Sequence, residues 1–242
     1  MRLFCRCKRA LSHAGHLVRV FLFQPVCPVC NNPLVHLDEN LLCRRCLAEL
    51  VASADPACPR CACPVSNDGG LCVQCMHAPP PFLETRCVAA YEGIFREVIL
   101  RYKYGGVVGL AKPLSRCLPP PDFQNLGAES QILVTVPDDP GRKRAFSPMQ
   151  EIARRYARLH HIPFRPKALA KVRSTPPQAG LSLSARKRNL AGSFRCRGKY
   201  VRDRDVVLMD DVFTTGSTLN ACARELGRAG ARVRVIALAR TP

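Results

Sequence analysis

One segment decides the fold: VVLMDDVFTTGSTLNACARELGRAG, residues 206–230. It opens with an apolar run typical of a buried strand, ends that run in two carboxylates, and passes through a turn of small polar residues into an amphipathic helical pattern. In open α/β sheets, ligands bind in the crevice at the carboxyl ends of the strands. The order of these features therefore predicts a ligand site where the strand meets the helix.

The turn itself has the chemistry of a phosphate site. Backbone N–H groups and hydroxyls of a turn entering a helix point at one spot, and the helix dipole favours an anion there. The preceding pair, Asp210 and Asp211, can accept hydrogen bonds from neighbouring sugar hydroxyls. An acidic pair alone is weak support, and such a turn more often caps a helix. Joined after a strand, the two predict a sugar-phosphate site whose turn consists of Thr214, Thr215, Gly216, Ser217 and Thr218.

Strand and helix patterns alternate on both sides of this segment. The strand patterns cover 87–91, 132–136, 206–212 and 233–239, and the helical patterns cover 95–104, 109–117, 149–160 and 217–229. This alternation predicts an α/β domain with a doubly wound parallel sheet. The basic stretch between the third helix and the third strand is predicted to be irregular.

Four Cys-x-x-Cys pairs lie in the N-terminal third of the chain. Tetrahedral Zn²⁺ accepts four thiolates, and a site with no open position is structural rather than catalytic. Free thiols or disulfides are the alternative, Cys63 offers a competing ligand, and spacing alone leaves the pairing between the four knuckles open. The order along the chain favours two sites, the first of Cys27, Cys30, Cys43 and Cys46 and the second of Cys58, Cys61, Cys72 and Cys75.

Composition divides the chain into an N-terminal leader (1–24), a double zinc-ribbon module (25–80) and the α/β domain (81–242). The second boundary follows from the prolines at 79–81, which cannot continue a helix. Arg19 interrupts the apolar run of the leader, and no stretch approaches the roughly 20 apolar residues of a spanning helix. We therefore expect no signal peptide and no membrane span. The paired cysteines are typical of a reduced compartment, so we expect a cytoplasmic protein.

The formal net charge of +19 indicates an anionic partner or substrate. The excess is concentrated in residues 142–204, which hold 18 basic and 2 acidic side chains. A solvated basic face is the plainer interpretation of any single one of these side chains. Taken together, they favour binding of a polyanion such as nucleic acid.

With these motifs, the chain resembles the ComF family of competence-associated, phosphoribosyltransferase-like proteins. DDVFTTGST looks like the motif with which type I phosphoribosyltransferases bind phosphoribosyl pyrophosphate (PRPP). The resemblance covers roughly residues 25–240 and includes the double four-cysteine module, RYKYGG (101–106), VPDDPGRKRAF (136–146) and STPPQAGLSLSARKRNLAGSF (174–194). It implies a type I phosphoribosyltransferase-like parallel sheet with helices on both faces.

The resemblance also implies roles for individual residues. Asp210 and Asp211 would hold the ribose hydroxyls and stabilise the ribosyl centre, and Thr214 to Thr218 would hold the 5′-phosphate. The turn after Val136-Pro137 would face the pyrophosphate, and residues 171–188 would contain a mobile catalytic loop. Mg²⁺ would accompany PRPP, and the leaving pyrophosphate would need cations. The candidates for these cations are Lys143, Arg144, Lys171, Arg173 and Arg186.

The chain departs from the family at one element. Where Arg-Gly-Phe-Asn-Gln is usual, it has Arg144-Ala145-Phe146-Ser147-Pro148, which puts the local backbone in question. The alternative to an enzyme is a non-catalytic factor that binds nucleic acid through its basic face and protein partners of the DNA-uptake machinery through its zinc ribbons. The acceptor of a ribosyl transfer cannot be deduced from the sequence.

Overall fold

A computed structural model of the chain describes residues 25–34, 41–51, 56–66, 70–123, 131–141, 147–174 and 189–241. Several predicted features lie outside these ranges: the leader 1–24, Lys143 with Arg144, and the part of the predicted catalytic loop that includes Arg186.

The helices and strands largely follow the predicted order. The N-terminal module contains α1 (Arg44–Val51) and the single-turn helix α2 (Val73–His77). The α/β domain then runs through β1 (Thr85–Ala90), α3 (Gly93–Lys103), a 3₁₀ turn (Val108–Leu110), α4 (Ala111–Cys117), β2 (Gln131–Thr135), α5 (Pro148–Leu159), β3 (Leu169–Lys171), β4 (Phe194–Cys196), a second 3₁₀ turn (Gly198–Tyr200), β5 (Asp205–Phe213), α6 (Ser217–Arg228) and β6 (Arg232–Arg240).

Four strands form one parallel sheet in the order β1-β6-β5-β2. Strand β5 is central, and its register places Asp210 opposite Ala237 of β6. Beyond Thr135, the backbone N–H of Val136 still donates to the carbonyl of Met209 over 2.9 Å. The loop that follows β2 therefore starts directly beside the carboxyl end of β5.

Helices cover both faces of this sheet, as predicted. Alternate residues of β5 point to opposite faces: Val207 and Met209 join a core with α3, α4 and α5, whereas Val206 and Leu208 join a core with α6. The near-continuous apolar run of β5 is what a parallel strand covered on both faces requires.

The stretch predicted to be irregular contains an antiparallel hairpin, and that prediction was wrong. Leu169 to Lys171 pairs with Phe194 to Cys196. Leu169 and Phe194 are buried against the α6 side of the sheet, while Ala170 and Arg195 face solvent. Each strand is only three residues long, so its alternation is too short to stand out among the surrounding basic residues.

Candidate ligand site and zinc centres

The two carboxylates lie where the central strand reaches the edge of the sheet. Strand β5 is buried from Asp205 to Met209 and becomes half-buried at Asp210 and Asp211. The backbone N–H of Asp211 donates to Oδ1 of Asp210 over 2.9 Å. Both residues therefore sit next to the turn that enters α6.

The two carboxyl groups are in different electrostatic situations. Burial, followed by the negative charge of Asp211, raises the pKa of Asp210 to about 8. The raised pKa favours the protonated form of Asp210, which can donate one hydrogen bond as well as accept others. Asp211 is held by an ion pair with Lys103.

The turn depends on Gly216, whose φ of 71° lies in the left-handed region. A Cβ added there would lie 2.6 Å from Cε2 of Phe213, so a side chain is excluded by space as well as by backbone conformation. The carbonyl of Gly216 accepts the N–H of Asn220 over 2.7 Å, which begins α6 at Ser217. Among the described residues, no side chain caps this helix, so its first N–H groups suit an anion.

Hydroxyls and a basic anchor complete the turn. The Oγ1 of Thr215 and the Oγ of Ser217 are 3.0 Å apart, and Thr214 and Thr215 are exposed. Arg240 donates to the carbonyl of Phe213 over 3.0 Å and also to the carbonyl of Thr214. Its guanidinium lies 4.6 Å from the centroid of the Phe213 ring. A cation thus fixes the carbonyl groups of the turn, while the side chains of Thr214 and Thr215 stay at the surface.

Lys103 is a residue of this site that the sequence analysis missed. Its Nζ lies 2.5 Å from Oδ2 of Asp211, and the two side chains are only 18% and 26% exposed. RYKYGG was noted as a family motif, but no role followed for its lysine. The signal that could have found it is a lone lysine between two tyrosines at a helix end, yet the sequence does not show which carboxylate it meets.

The loop after β2 provides a second polar cluster. Asp139 accepts hydrogen bonds from Nζ of Lys171 over 2.6 Å and from Oγ of Ser174 over 2.7 Å. The Lys171 and Asp139 side chains are 9% and 16% exposed. Lys171, a predicted PRPP-binding residue, is therefore tied to the loop expected to face the pyrophosphate.

Arg173 occupies a different position. Its Nη2 donates to the carbonyls of Asn189 and Ala191, each over 3.0 Å, and approaches the hydroxyl of Ser193 at 3.4 Å. These contacts hold together the two ends of the segment that contains the predicted loop. Arg173 is exposed, so these bonds leave room for a ligand contact.

The departure from the family element has a local explanation at its last two residues. The hydroxyl of Ser147 accepts the N–H of Gln150 at 3.4 Å, and Pro148 occupies the first turn of α5. Serine as N-cap, with proline at the first helical position and glutamine three residues after the serine, is a strong helix-start signal. Ser147 and Pro148 thus begin α5.

The cysteines form two separate clusters in the predicted pairing. Within each cluster, the four sulfur atoms lie within 4.8 Å of one another. The Sγ atoms of Cys30 and Cys43 are 3.5 Å apart, and those of Cys61 and Cys72 are 3.6 Å apart. Tetrahedral Zn²⁺ with Zn–S bonds of about 2.3 Å needs sulfurs about 3.8 Å apart, so both clusters fit structural zinc. Cys63 belongs to neither cluster.

Backbone N–H groups favour the thiolate form in both clusters. Burial raises the pKa of the Cys27 thiol, but hydrogen bonds from the backbone of Cys30, Cys43 and Val29 outweigh it and bring the pKa to about 7. The same balance brings the pKa of Cys58 to about 7. A thiolate is the form that binds zinc, so the surrounding backbone favours the metal-binding form at the first cysteine of each cluster.

We call the module around the first cluster ribbon 1 (25–34 and 41–51) and that around the second ribbon 2 (56–66 and 70–77). Ribbon 1 packs Leu42 and Leu50 into the core that contains α3 and α4. The side chain of Leu41 also packs against Gly109, because a Cβ added there would lie 2.2 Å from Cδ1 of Leu41. Ribbon 1 is thus joined to the α/β domain by apolar packing.

Ribbon 2 is joined mainly by polar contacts at the start of β1. The N–H of Thr85 donates to the carbonyl of Pro59 over 2.9 Å, and its hydroxyl donates to the carbonyl of Arg60 over 2.9 Å. Phe82 shares a core with the cysteines of ribbon 2 and meets Phe213 edge to face at 6.1 Å between ring centroids. The contact between Phe82 and Phe213 therefore connects ribbon 2 to the ligand turn.

In the parts of the chain that the structure describes, none of the helices has the length and apolar composition needed to cross a bilayer.

Comparisons with known proteins agree with both parts of this architecture. The family model of the double zinc ribbon domain matches residues 18–88. The DNA utilization protein YhgH of Escherichia coli strain K12 is 31% identical over 226 residues, which is 89% of this chain and 97% of that protein. Competence protein F of Haemophilus influenzae is 26% identical over 216 residues, 85% of this chain and 93% of that protein.

A solved structure of the allosteric regulatory enzyme of purine biosynthesis is a weaker match. It is 22% identical over 52% of this chain and 24% of that chain, with a TM-score of 0.32. That likeness is too low to support an argument. The relationship to YhgH, at 31% identity over 97% of that protein, is close enough to establish the family. The chain belongs to the ComF family, together with YhgH and competence protein F.

Proposed function

We propose that this protein binds PRPP with Mg²⁺ and acts as a phosphoribosyltransferase in the use or uptake of DNA. One observation supports this proposal above all others. Asp210 and Asp211, near the end of β5, and the glycine turn at the start of α6 lie at the same edge of the sheet. This edge combines acceptors for sugar hydroxyls with donors for a phosphate. The names of the relatives YhgH and competence protein F support the connection to DNA.

Each group has a definite task in such a reaction. Asp210 and Asp211 would accept the ribose hydroxyls, and the negative charge of Asp211 would favour positive charge developing at the ribosyl carbon. The N–H groups and hydroxyls from Thr214 to Thr218 would hold the 5′-phosphate. Lys171 lies at the loop after β2, where the pyrophosphate charge would develop as the bond breaks.

Magnesium fits this arrangement as an ion carried by the ligand. Mg²⁺ keeps most of its waters and is usually held by substrate phosphates with one or two carboxylates. Asp138 is exposed in the loop after β2, and its charge acts on Asp210, so it offers such a carboxylate. When bound, the ion would neutralise charge on the leaving pyrophosphate.

Isothermal calorimetry of the zinc-loaded protein against PRPP tests the proposal. We expect saturable binding that requires Mg²⁺ and is lost in the Asp210→Asn/Asp211→Asn double variant, because neutral amides cannot supply the same acceptors and charge. Asp203→Asn, an exposed site on a turn before β5, is the matched control and should bind normally. A folded wild-type protein that does not bind PRPP would overturn the proposal.

Binding of nucleic acid is a second candidate function, supported by a basic cleft. Arg154, Arg158 and His161 line an open cleft of about 730 Å³ at the end of α5. Affinity for single-stranded DNA through such side chains should fall steeply with salt. Fluorescence anisotropy of a labelled oligonucleotide at low and high salt, repeated with Arg154→Gln/Arg158→Gln, tests it. Salt-independent binding, or binding unchanged in the variant, would contradict a role for this cleft.

A further inference from the structure

The end of α3 aims three consecutive side chains in three directions. Arg101 points to solvent and forms an ion pair with Glu97 at 2.7 Å. Tyr102 is 2% exposed, and its hydroxyl donates to the carbonyl of Pro148 over 2.7 Å. Successive residues of a helix are about 100° apart, so fixing these two fixes the third. Lys103 is therefore held towards the ligand site by packing elsewhere on the helix.

The lysine makes a short ion pair in a partly enclosed place. Its Nζ is 2.5 Å from Oδ2 of Asp211, with the two side chains 18% and 26% exposed. Burial lowers the pKa of Lys103, but the charge of Asp211 and its hydrogen bond outweigh this and raise the pKa overall. The ammonium thus stays charged. Screening by water is reduced at this burial, so the pair is stronger than one on an open surface.

The local charges balance without a ligand. Nζ of Lys103 lies 2.5 Å from Oδ2 of Asp211, so the ammonium neutralises this carboxylate, while burial and the charge of Asp211 favour the protonated form of Asp210. Among the described residues, no second basic side chain lies within ion-pairing distance of either aspartate. The ammonium of Lys103 thus contacts the same carboxylate oxygen that a ligand hydroxyl or a ligand-borne cation would contact.

We propose that Lys103 is the resident counter-ion of the ligand site: it satisfies Asp211 while no ligand is bound, and on binding it transfers its positive charge to the anionic ligand. This inference rests on the proposed function for the identity of that ligand. It makes Lys103 a further binding residue, supplied by α3 rather than by the strand ends. It also explains why an acidic edge receives a highly anionic molecule without net repulsion.

Lys103→Met tests the proposal through two measurements that should move in opposite directions. Without the ammonium, Asp211 faces solvent uncompensated, so we expect the zinc-loaded variant to bind Mn²⁺, detected by electron paramagnetic resonance, about tenfold more tightly than the wild type. PRPP affinity, measured by calorimetry at fixed free Mg²⁺, should fall about tenfold because a cation has been lost. If Lys103 had a merely structural role, its replacement by Met would not increase the affinity for Mn²⁺.

Three further variants serve as controls. Lys103→Arg keeps the charge and should stay near wild type in both measurements. Arg101→Met removes a neighbouring cation on the outer face of α3 and should change neither. Adding Asp211→Asn to Lys103→Met should abolish the gain in Mn²⁺ affinity, as a double-mutant cycle requires. Thermal unfolding of all variants confirms that they are folded.

The outcomes separate this inference from the proposed function. Unchanged Mn²⁺ affinity in folded Lys103→Met overturns the counter-ion role, whatever happens to PRPP. A gain in Mn²⁺ affinity with unchanged PRPP affinity overturns the transfer of charge to the ligand. If the wild type binds no PRPP, the proposed function fails, while the Mn²⁺ measurement still decides whether Lys103 neutralises Asp211.

Discussion

The two zinc ribbons share a backbone but have different surroundings. In ribbon 1, Val26 forms a bridge with Pro33, and in ribbon 2, Ala57 forms the same bridge with Pro64. The residue after the first knuckle of each ribbon, Asn31 or Ala62, has a left-handed φ of 59° or 54°. The knuckle is thus specified by a short local sequence.

Outside the knuckles, the resemblance ends. Leu42, just before the third cysteine of ribbon 1, is 2% exposed, whereas Leu71 at the same position of ribbon 2 is 47% exposed. Leu47 packs against the core formed with α3 and α4, but its counterpart Met76 is 59% exposed. Metal binding is therefore a local property of each ribbon. Support of the α/β domain depends instead on which residues of the ribbon pack against that domain.

The largest expected effect comes from breaking each zinc site in turn. Cys46→Ser should destabilise the whole protein by several kcal/mol, since zinc binding drives ribbon folding and Cys46 belongs to the core that contains α3 and α4. Cys75→Ser should cost less, because Leu71 and Met76 of ribbon 2 are exposed whereas Leu42 and Leu47 of ribbon 1 pack against the core. Thermal unfolding measures the two losses of stability. Zinc content should fall from two ions to one in each variant. Equal melting temperatures would remove the distinction.

Phe82→Ala sharpens the comparison at the ligand site. It should lower the free energy of unfolding by about 3–5 kcal/mol, as for other buried phenylalanines. It should also weaken PRPP binding, because Phe82 supports Phe213, whose ring lies under Gly216. Leu50→Ala, in ribbon 1, should cost about 2–5 kcal/mol without weakening PRPP binding. Calorimetry below both melting temperatures checks this, and equal losses of affinity would show that both ribbons support the turn.

The equivalent leucines provide a matched pair. Leu42→Ala should cost about 2–5 kcal/mol because it leaves a cavity between ribbon 1 and its core. Leu71→Ala should change the free energy of unfolding by no more than about 0.5 kcal/mol, as expected for an exposed side chain. Chemical denaturation of both variants measures the difference. A large cost for Leu71→Ala would mean that this face of ribbon 2 is covered.

The smallest effect concerns the backbone that the ribbons share. Asn31 is exposed and adopts the left-handed region that asparagine tolerates well. Asn31→Ala gives ribbon 1 the residue found in ribbon 2 and should cost about 1 kcal/mol of stability. Competition with a colorimetric chelator should show slightly faster zinc loss from that ribbon. An unchanged or higher stability would show that the knuckle does not discriminate between the two residues.

The features that could be predicted are those determined by nearby residues. The order of the cysteine pairs along the chain favoured the zinc pairing that the structure shows, and the strands of the parallel sheet and its covering helices followed from periodicity. The position of β6 between β1 and β5 could not be deduced from periodicity, since it depends on long-range pairing of the last strand with both the first and the next to last. The contact between Lys103 and Asp211 could not be predicted for the same reason. The two residues are distant in sequence, and the motif RYKYGG does not indicate which carboxylate its lysine contacts.

The position of β6 has a consequence for synthesis on the ribosome. Both cysteine clusters are complete once residue 75 has emerged, so each ribbon can take up zinc while most of the chain is still unmade. Strand β1 follows soon afterwards, but among the described strands it pairs with β6, which runs from Arg232 to Arg240. Cooperative closure of the sheet must therefore wait until β6 has emerged. During that interval, the metal-bound ribbons are the folded part of the nascent chain, and a stop codon before β6 would leave them without the sheet they support.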